Sequence, residues 1–299
     1  MIGSRNRGGT LFSIIGNLIL LSILGCSENS DIALETLTHD GVERNHHTYI
    51  PASYDNSLEV PMLINFHGGC MSASSQMDEM DMRSLADEHN FILVYPEGTS
   101  EDGDGSCLIW NSGPYVDLED TKATADDLGF VRALVEDLST RYAIDANRIY
   151  ATGFSNGGFM TYAVGCYISD VFAAIAPIAA MMTDESLDQN SSNPCQPLHS
   201  MPVIHLHGTN DNAVPIESGE QAIDFWIDFN NTDNVTSETV ENGNQTIEHF
   251  SHTGEDTVSV EYYKIGGGSH STFDDIDFNG SDSRQLVWDF VSSQQLNND

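Results

Sequence analysis

Arg148-Ile149-Tyr150-Ala151-Thr152-Gly153-Phe154-Ser155-Asn156-Gly157-Gly158 decides the fold. Its first five residues are β-rich, and the stretch after Ser155 turns into a helical pattern that continues to about residue 168. Between them stands Gly-x-Ser-x-Gly, a motif that is weak alone and informative between a strand and a helix. A reversal from strand to helix this tight leaves no room for bulk beside the central residue, and Gly153 and Gly157 meet that need. Ser155 is thereby set at a helix N-terminus, where the dipole favours developing negative charge.

Outward from this turn, short β-rich runs alternate with amphipathic stretches. Strands are predicted at 46–50, 61–66, 91–95, 148–153, 172–178, 202–207 and 257–264. Helices are predicted at 76–89, 126–142, 156–168, 217–230 and 283–294, the clearest carrying Leu128, Val131, Leu134, Val135, Leu138 and Tyr142 at helical spacing. Such alternation implies an α/β fold with a mostly parallel central sheet and helices on both faces. Two long polar loops, 98–122 and 180–200, are candidates for substrate contacts, because loops leaving the carboxyl ends of strands surround the site in such folds.

A serine alcohol needs a base, and the base needs a carboxylate to hold its tautomer. The strand Pro202-Val203-Ile204-His205-Leu206-His207 ends in Gly208-Thr209-Asn210-Asp211, which puts Asp211 in the turn where an acid belongs. A plain turn aspartate is the competing reading. Only His249, His252 and His270 follow it. His270 comes after Gly266-Gly267-Gly268-Ser269 beyond a strand end, whereas His249 and His252 lie inside a strand-like alternation and are read as ordinary strand histidines. The predicted triad is Ser155, Asp211 and His270. An oxyanion hole is expected from the N–H of Asn156 and that of Gly69 or Cys70, in the small-residue turn His67-Gly68-Gly69-Cys70. His67 is read as an organiser of that loop rather than a proton carrier.

Arg5 and Arg7 precede an apolar run from Leu11 to Leu24, the pattern of a signal peptide over residues 1–25. Ile23-Leu24-Gly25-Cys26 resembles the lipobox of bacterial lipoproteins. This implies lipidation of Cys26, a tether over 26–43 and a catalytic domain over 44–299. The protein is expected to be exported, touching a membrane only through that lipid. The whole chain carries 46 acidic and 10 basic residues. That balance excludes nucleic acid as a partner, since phosphate binding needs clustered bases. It fits a solubility device for salty surroundings. Cys70, Cys107, Cys166 and Cys195 remain after Cys26, and an even number in an oxidising compartment favours disulfides, with three pairings open. No Cys-x-x-Cys pair suggests zinc. Asp275-Ile276-Asp277-Phe278-Asn279-Gly280 starts like a calcium loop, but Leu286 stands where the bidentate Glu belongs, so a capped loop before the last helix is the preferred reading.

Tyr95-Pro96-Glu97-Gly98, Trp110-Asn111, Asp126-Asp127-Leu128-Gly129-Phe130, the Ser155 segment and the Gly-rich histidine loop together resemble the polyhydroxybutyrate depolymerase and feruloyl esterase family. The resemblance runs from about residue 44 to 293. It implies an α/β-hydrolase fold without a large lid domain and ester hydrolysis through an acyl-enzyme, a reaction that calls for no cofactor; a monomer without a metal is expected. It also implies a Cys70–Cys107 bridge near the oxyanion loop. Substrates in such a family are feruloyl or acetyl-type esters, or short hydroxyalkanoate oligomers. Two departures stand out: Ser269 separates the glycines from His270, and Phe273 stands where relatives have Trp. Competing readings are a peptidase of the prolyl-oligopeptidase type and a non-enzymatic surface binding protein. The first usually carries a large N-terminal propeller, and the second should have lost a triad member.

Overall fold

A computed structural model of the chain describes residues 32–100, 105–113, 125–242, 245–254 and 258–296. The expected signal peptide over 1–25 and the expected lipidation site Cys26 lie outside the described residues.

The strands are β1 Leu34–His39, β2 Val42–Tyr49, β3 Val60–Phe66, β4 Ile92–Pro96, β5 Thr99–Ser100, β6 Leu108–Ile109, β7 Ile144–Phe154, β8 Ala174–Ile178, β9 Val203–Gly208, β10 Asn234–Asn242, β11 Gln245–Thr253 and β12 Ser259–Ile265. The helices are α1 Ala73–Glu79, α2 Arg83–His89, α3 Asp127–Arg141, α4 Asn156–Tyr167, α5 Asp184–Leu187, α6 Ile216–Asn230 and α7 Ser283–Ser292. One sheet runs β1-β2-β4-β3-β7-β8-β9-β12-β11-β10 among the described residues. Its centre, from β4 to β12, is parallel, and antiparallel hairpins extend both ends. The central strands β3, β4, β8 and β9 are buried along their whole length, as a sheet covered on both faces requires. One apolar cluster, with Met160, Val164 and Trp226, packs α3, α4 and α6 on one face. A second, with Phe91, Tyr150 and Trp288, packs α1, α2 and α7 on the other. The fold is therefore the predicted α/β class.

Three expectations need correction. The tether expected over 26–43 contains β1 and the turn into β2, so residues 34–43 belong to the sheet. Asp40 and Gly41, both at positive φ, make the two-residue hairpin turn, and Leu37 packs on the core. The single helix expected over 76–89 is two. At the break, the Tyr95 hydroxyl accepts the Met82 N–H at 3.2 Å and donates to the Met80 carbonyl at 2.9 Å, replacing helical bonds. Finally, the predicted strands leave out β10 and β11, a hairpin that widens the sheet, and His249 and His252 lie on β11 as their strand-like alternation implies. The loop before α7 ends on Asp282, whose carboxylate caps the helix by accepting the Arg284 and Gln285 N–H groups, in line with the capped-loop reading.

Candidate active site

Ser155 stands between β7 and α4 with φ 54° and ψ −120°, a left-handed conformation rare for a residue with a side chain. Such strain persists only where the surroundings over-determine it. They do so here: the Ser155 N–H donates to Ile178 O of β8 at 3.0 Å, and its carbonyl accepts the Phe159 N–H at 2.9 Å. A Cβ on Gly157 would strike the carbonyl groups of Phe66 and His67, which explains the glycine after the elbow.

Asp211 and His270 come from loops that follow β9 and β12. These strands are parallel neighbours, so their carboxyl ends lie side by side. The two loops are laced together: the Asn210 N–H donates to Gly268 O and the Gly267 N–H to Thr209 Oγ1, both at 2.8 Å. This lacing brings His270 Nδ1 to 2.7 Å from Asp211 Oδ2. The other carboxylate oxygen accepts the N–H groups of Ala213 and Val214, each at 2.8 Å. Burial would raise the pKa of Asp211, but the bonds from His270, Val214 and Ala213 outweigh it and hold the carboxyl below its usual range. The His270 ring lies 4.7 Å from that of Phe154, the residue before Ser155. Among the described residues no hydrogen bond links Ser155 Oγ to His270. Such contacts commonly tighten only when substrate binds.

The His67–Cys70 loop, where an oxyanion hole is expected, is held by its own network. His67 is fully buried, and burial pushes its pKa down to about 4. Its Nδ1 donates to Gly68 O at 2.7 Å and its Nε2 accepts the Gly98 N–H at 2.9 Å. That is the role of a loop organiser. Trp110 Nε1 donates to His67 O at 3.0 Å. The Asn156 side chain meets the Trp110 backbone, accepting its N–H at 2.7 Å and donating to its carbonyl at 3.2 Å. Cys70, at φ 57°, gives its N–H to Leu108 O at 2.8 Å and is disulfide-bonded to Cys107. As an oxyanion donor, Cys70 is therefore corrected. Its amide is spent within the loop.

A second disulfide joins Cys166, at the end of α4, to Cys195 in the 180–200 loop. Phe273 is buried in the core rather than lining an open pocket. His249 and His252 lie on β11, within the sheet extension rather than in the loops that carry Asp211 and His270. Sequence reasoning passed over His205 and His207, whose tilted rings lie 5.1 Å apart on the fully buried β9, with His207 3.5 Å from Asp211. Two polar residues at period two in an otherwise apolar central strand were the available signal.

Comparison with known proteins agrees with this architecture. The phospholipase/carboxylesterase family of α/β-hydrolases matches residues 59–251. Feruloyl esterase B of Piromyces equi is 29% identical over 260 residues, covering 82% of this chain and 44% of its own length. A bifunctional acetylxylan esterase/xylanase of Neocallimastix patriciarum is 28% identical, covering 84% of this chain and 33% of itself. A poly(3-hydroxyalkanoate) depolymerase C of Paucimonas lemoignei is 23% identical, with 84% of this chain and 64% of its own length aligned. The chain thus spans less than two thirds of each of these relatives. In fold it is similar to the acetyl xylan esterase from Aspergillus awamori, with a TM-score of 0.63 at 13% identity over 87% of this chain and 99% of that one. This chain belongs to the phospholipase/carboxylesterase family of α/β-hydrolases.

Proposed function

We propose that this protein is an exported serine hydrolase of carboxylic esters, working through an acyl-enzyme with Ser155 as nucleophile, His270 as base and Asp211 as its orienting carboxylate. The observation that carries this reading is the 2.7 Å bond between His270 Nδ1 and Asp211 Oδ2. It leaves Nε2 of the same imidazole as the acceptor for a proton from the strained Ser155. The serine oxygen attacks the ester carbonyl, His270 takes the proton, and the imidazolium is stabilised by a carboxylate that remains ionised. Negative charge on the carbonyl oxygen is met by the N–H groups of Asn156, at the start of α4, and of Gly69. His270 then protonates the departing alcohol, and water, activated by the same imidazole, releases the acid.

The substrate class follows from the relatives, named as feruloyl esterase, acetylxylan esterase and poly(3-hydroxyalkanoate) depolymerase. Feruloyl or acetyl-type esters, or short hydroxyalkanoate oligomers, are the proposed substrates. Two disulfides favour export, and the lipobox at 23–26 favours a lipid anchor on Cys26. The protein is proposed to act as a monomer without a cofactor.

The test is hydrolysis of p-nitrophenyl acetate and butyrate, methyl ferulate and hydroxybutyrate oligomers by the purified protein, with Ser155→Ala as control. Turnover that disappears in the variant supports the reading, and the ranking of substrates chooses the branch. A folded protein that releases nothing, or a variant as active as the parent, overturns it.

A further inference from the structure

Behind the Asp211–His270 pair lies a row of polar side chains with no part in the reaction just described. Tyr162 of α4 has its hydroxyl 2.7 Å from His205 Nδ1. His205 Nε2 is 2.9 Å from His207 Nδ1. His207 Nε2 is 2.9 Å from the carbonyl oxygen of Val214 and 3.5 Å from Asp211 Oδ2. Tyr162 is 1% exposed and both histidines 0%. Gly219 of α6 makes room for the row, because a Cβ there would meet His207 Nδ1 and His205 Nε2.

One carbonyl fixes the direction of every bond. Val214 O can only accept, so His207 Nε2 carries the proton. A neutral His207 then has a bare Nδ1, which must be met by the N–H of His205 Nε2. His205 Nδ1 is bare in turn and accepts from the Tyr162 hydroxyl. Both imidazoles are neutral: burial lowers His205 well below the usual value, and it lowers His207 despite the opposing pull of Val214 O and Asp211. The other titratable groups that face the row are Tyr262 of β12, its ring 5.6 Å from that of His205, together with Glu220 of α6 and His270.

We propose that Tyr162, His205 and His207 form a one-way hydrogen-bond chain ending on the carbonyl of Val214 beside Asp211, and that His207 is a positioning residue that sets the orientation and basicity of this carboxylate toward His270. The proposal rests on the reading of Ser155, Asp211 and His270 as the catalytic groups. His207 acts twice. It grips the carbonyl of Val214, whose own N–H holds Asp211 Oδ1, and its protonated Nε2 stands 3.5 Å from Oδ2, the oxygen that receives His270. The positive end of this N–H dipole, 3.5 Å from Oδ2, draws off part of the carboxylate's basicity. Removing it therefore makes the carboxylate a stronger partner for a protonated His270.

The experiment follows the histidines of the full chain by 15N NMR as a function of pH, in the parent protein and in His207→Leu, His207→Gln and Tyr162→Phe. In His207→Leu the midpoint of His270 is expected to rise by about half a pKa unit or more. His207→Gln keeps a donor near the old Nε2 position and should restore most of the parental value. On p-nitrophenyl acetate, kcat should fall roughly 10- to 100-fold in His207→Leu with KM changed by less than about twofold. The acid limb of kcat/KM should move up with the His270 midpoint. A folded His207→Leu protein whose His270 titrates at the parental value overturns the proposal. Should that variant not fold, Tyr162→Phe decides. Loss of the single-tautomer 15N pattern at His205 supports the chain, and an unchanged pattern overturns it. If the parent protein hydrolyses no ester, the catalytic reading fails on that ground, while the NMR midpoints still decide whether His207 tunes His270.

Discussion

Asn156 clasps Trp110 by both of its backbone polar groups, taking the N–H on Oδ1 at 2.7 Å and giving Nδ2–H to the carbonyl at 3.2 Å. One side chain thus links the turn that carries Ser155 to the segment whose indole holds His67 O. Asn156→Ala strands both Trp110 groups in a part-buried place, and each unmet group costs about 1–3 kcal/mol. Denaturant unfolding should show a total loss of about 2 kcal/mol or more. Because the loop proposed to supply an oxyanion donor loosens with it, kcat on a p-nitrophenyl ester should fall roughly 10-fold or more. A variant as stable and active as the parent would show the clasp to be idle.

Asp127 is the next post in the same network. Its Oδ2 accepts the Asn111 N–H at 2.7 Å, its Oδ1 pairs with Arg44 Nη2 at 2.5 Å, and the Arg44 guanidinium lies 4.0 Å over the Phe130 ring. Arg44 is 3% exposed and Asp127 1%. Burial raises the pKa of Asp127 against the pull of Arg44, so removing the arginine leaves an acid with little means of staying charged. Arg44→Met should cost about 3–5 kcal/mol. The double variant Arg44→Met/Asp127→Leu should recover part of that loss, since no lone buried charge remains. Equilibrium unfolding of the parent, both single variants and the double variant measures the coupling. Additive losses would mean that the pair contributes no interaction of its own.

The parallel centre of the sheet was legible because its strands are nearly unbroken apolar runs between turn residues. The Ser155 elbow was legible because glycines are needed on both sides of it. Asp211 could be chosen by chain order and strand context. What sequence could not give was the partner of each polar group. That the Cys70 amide is spent on Leu108 O depends on the 105–109 segment folding back as β6. That Tyr95 breaks a helix at Met80–Met82 depends on a hydroxyl arriving from another strand. The β1–β2 hairpin was signalled by Asp40-Gly41 but masked by a polar, half-exposed alternation that reads equally well as a tether.

The two disulfides should separate stability from activity. Cys70–Cys107 closes 37 residues and Cys166–Cys195 closes 29. Loops of these lengths imply similar stabilisation, about 3–4 kcal/mol each, through constraint of the unfolded chain. Only the first is attached to the turn proposed to hold the oxyanion donor. Cys70→Ala/Cys107→Ala should therefore lose activity well beyond its loss of stability, whereas Cys166→Ala/Cys195→Ala should lose stability alone. Esterase rates well below each variant's unfolding midpoint test this. Equal rates in the two double variants would detach the first bridge from the site.

His249 ties the three strands at the far edge of the sheet. Its Nδ1 lies 3.2 Å from Glu238 Oε1 of β10, its Nε2 2.7 Å from Glu261 Oε2 of β12, and its ring stacks on Tyr263 at 4.1 Å. Burial would lower its pKa, but the bonds to Glu261 and Glu238 raise it above the usual 6.5. A raised value in the folded state means that the folded protein holds this proton more tightly than the unfolded chain. The stabilisation is complete below 6.5 and disappears as pH climbs through the folded value. Glu261, whose pKa is lowered, has the opposite sign, and its contribution fades only in the acid range below that of an ordinary carboxylate. The two windows do not overlap. His249→Gln should thus be less stable than the parent at about pH 6, by about 1 kcal/mol given how exposed Glu238 is, and the gap should close by about pH 9. Urea midpoints of both proteins across that range measure it. A gap that stays constant with pH would mean that His249 contributes through its stacking on Tyr263 and not through its charge.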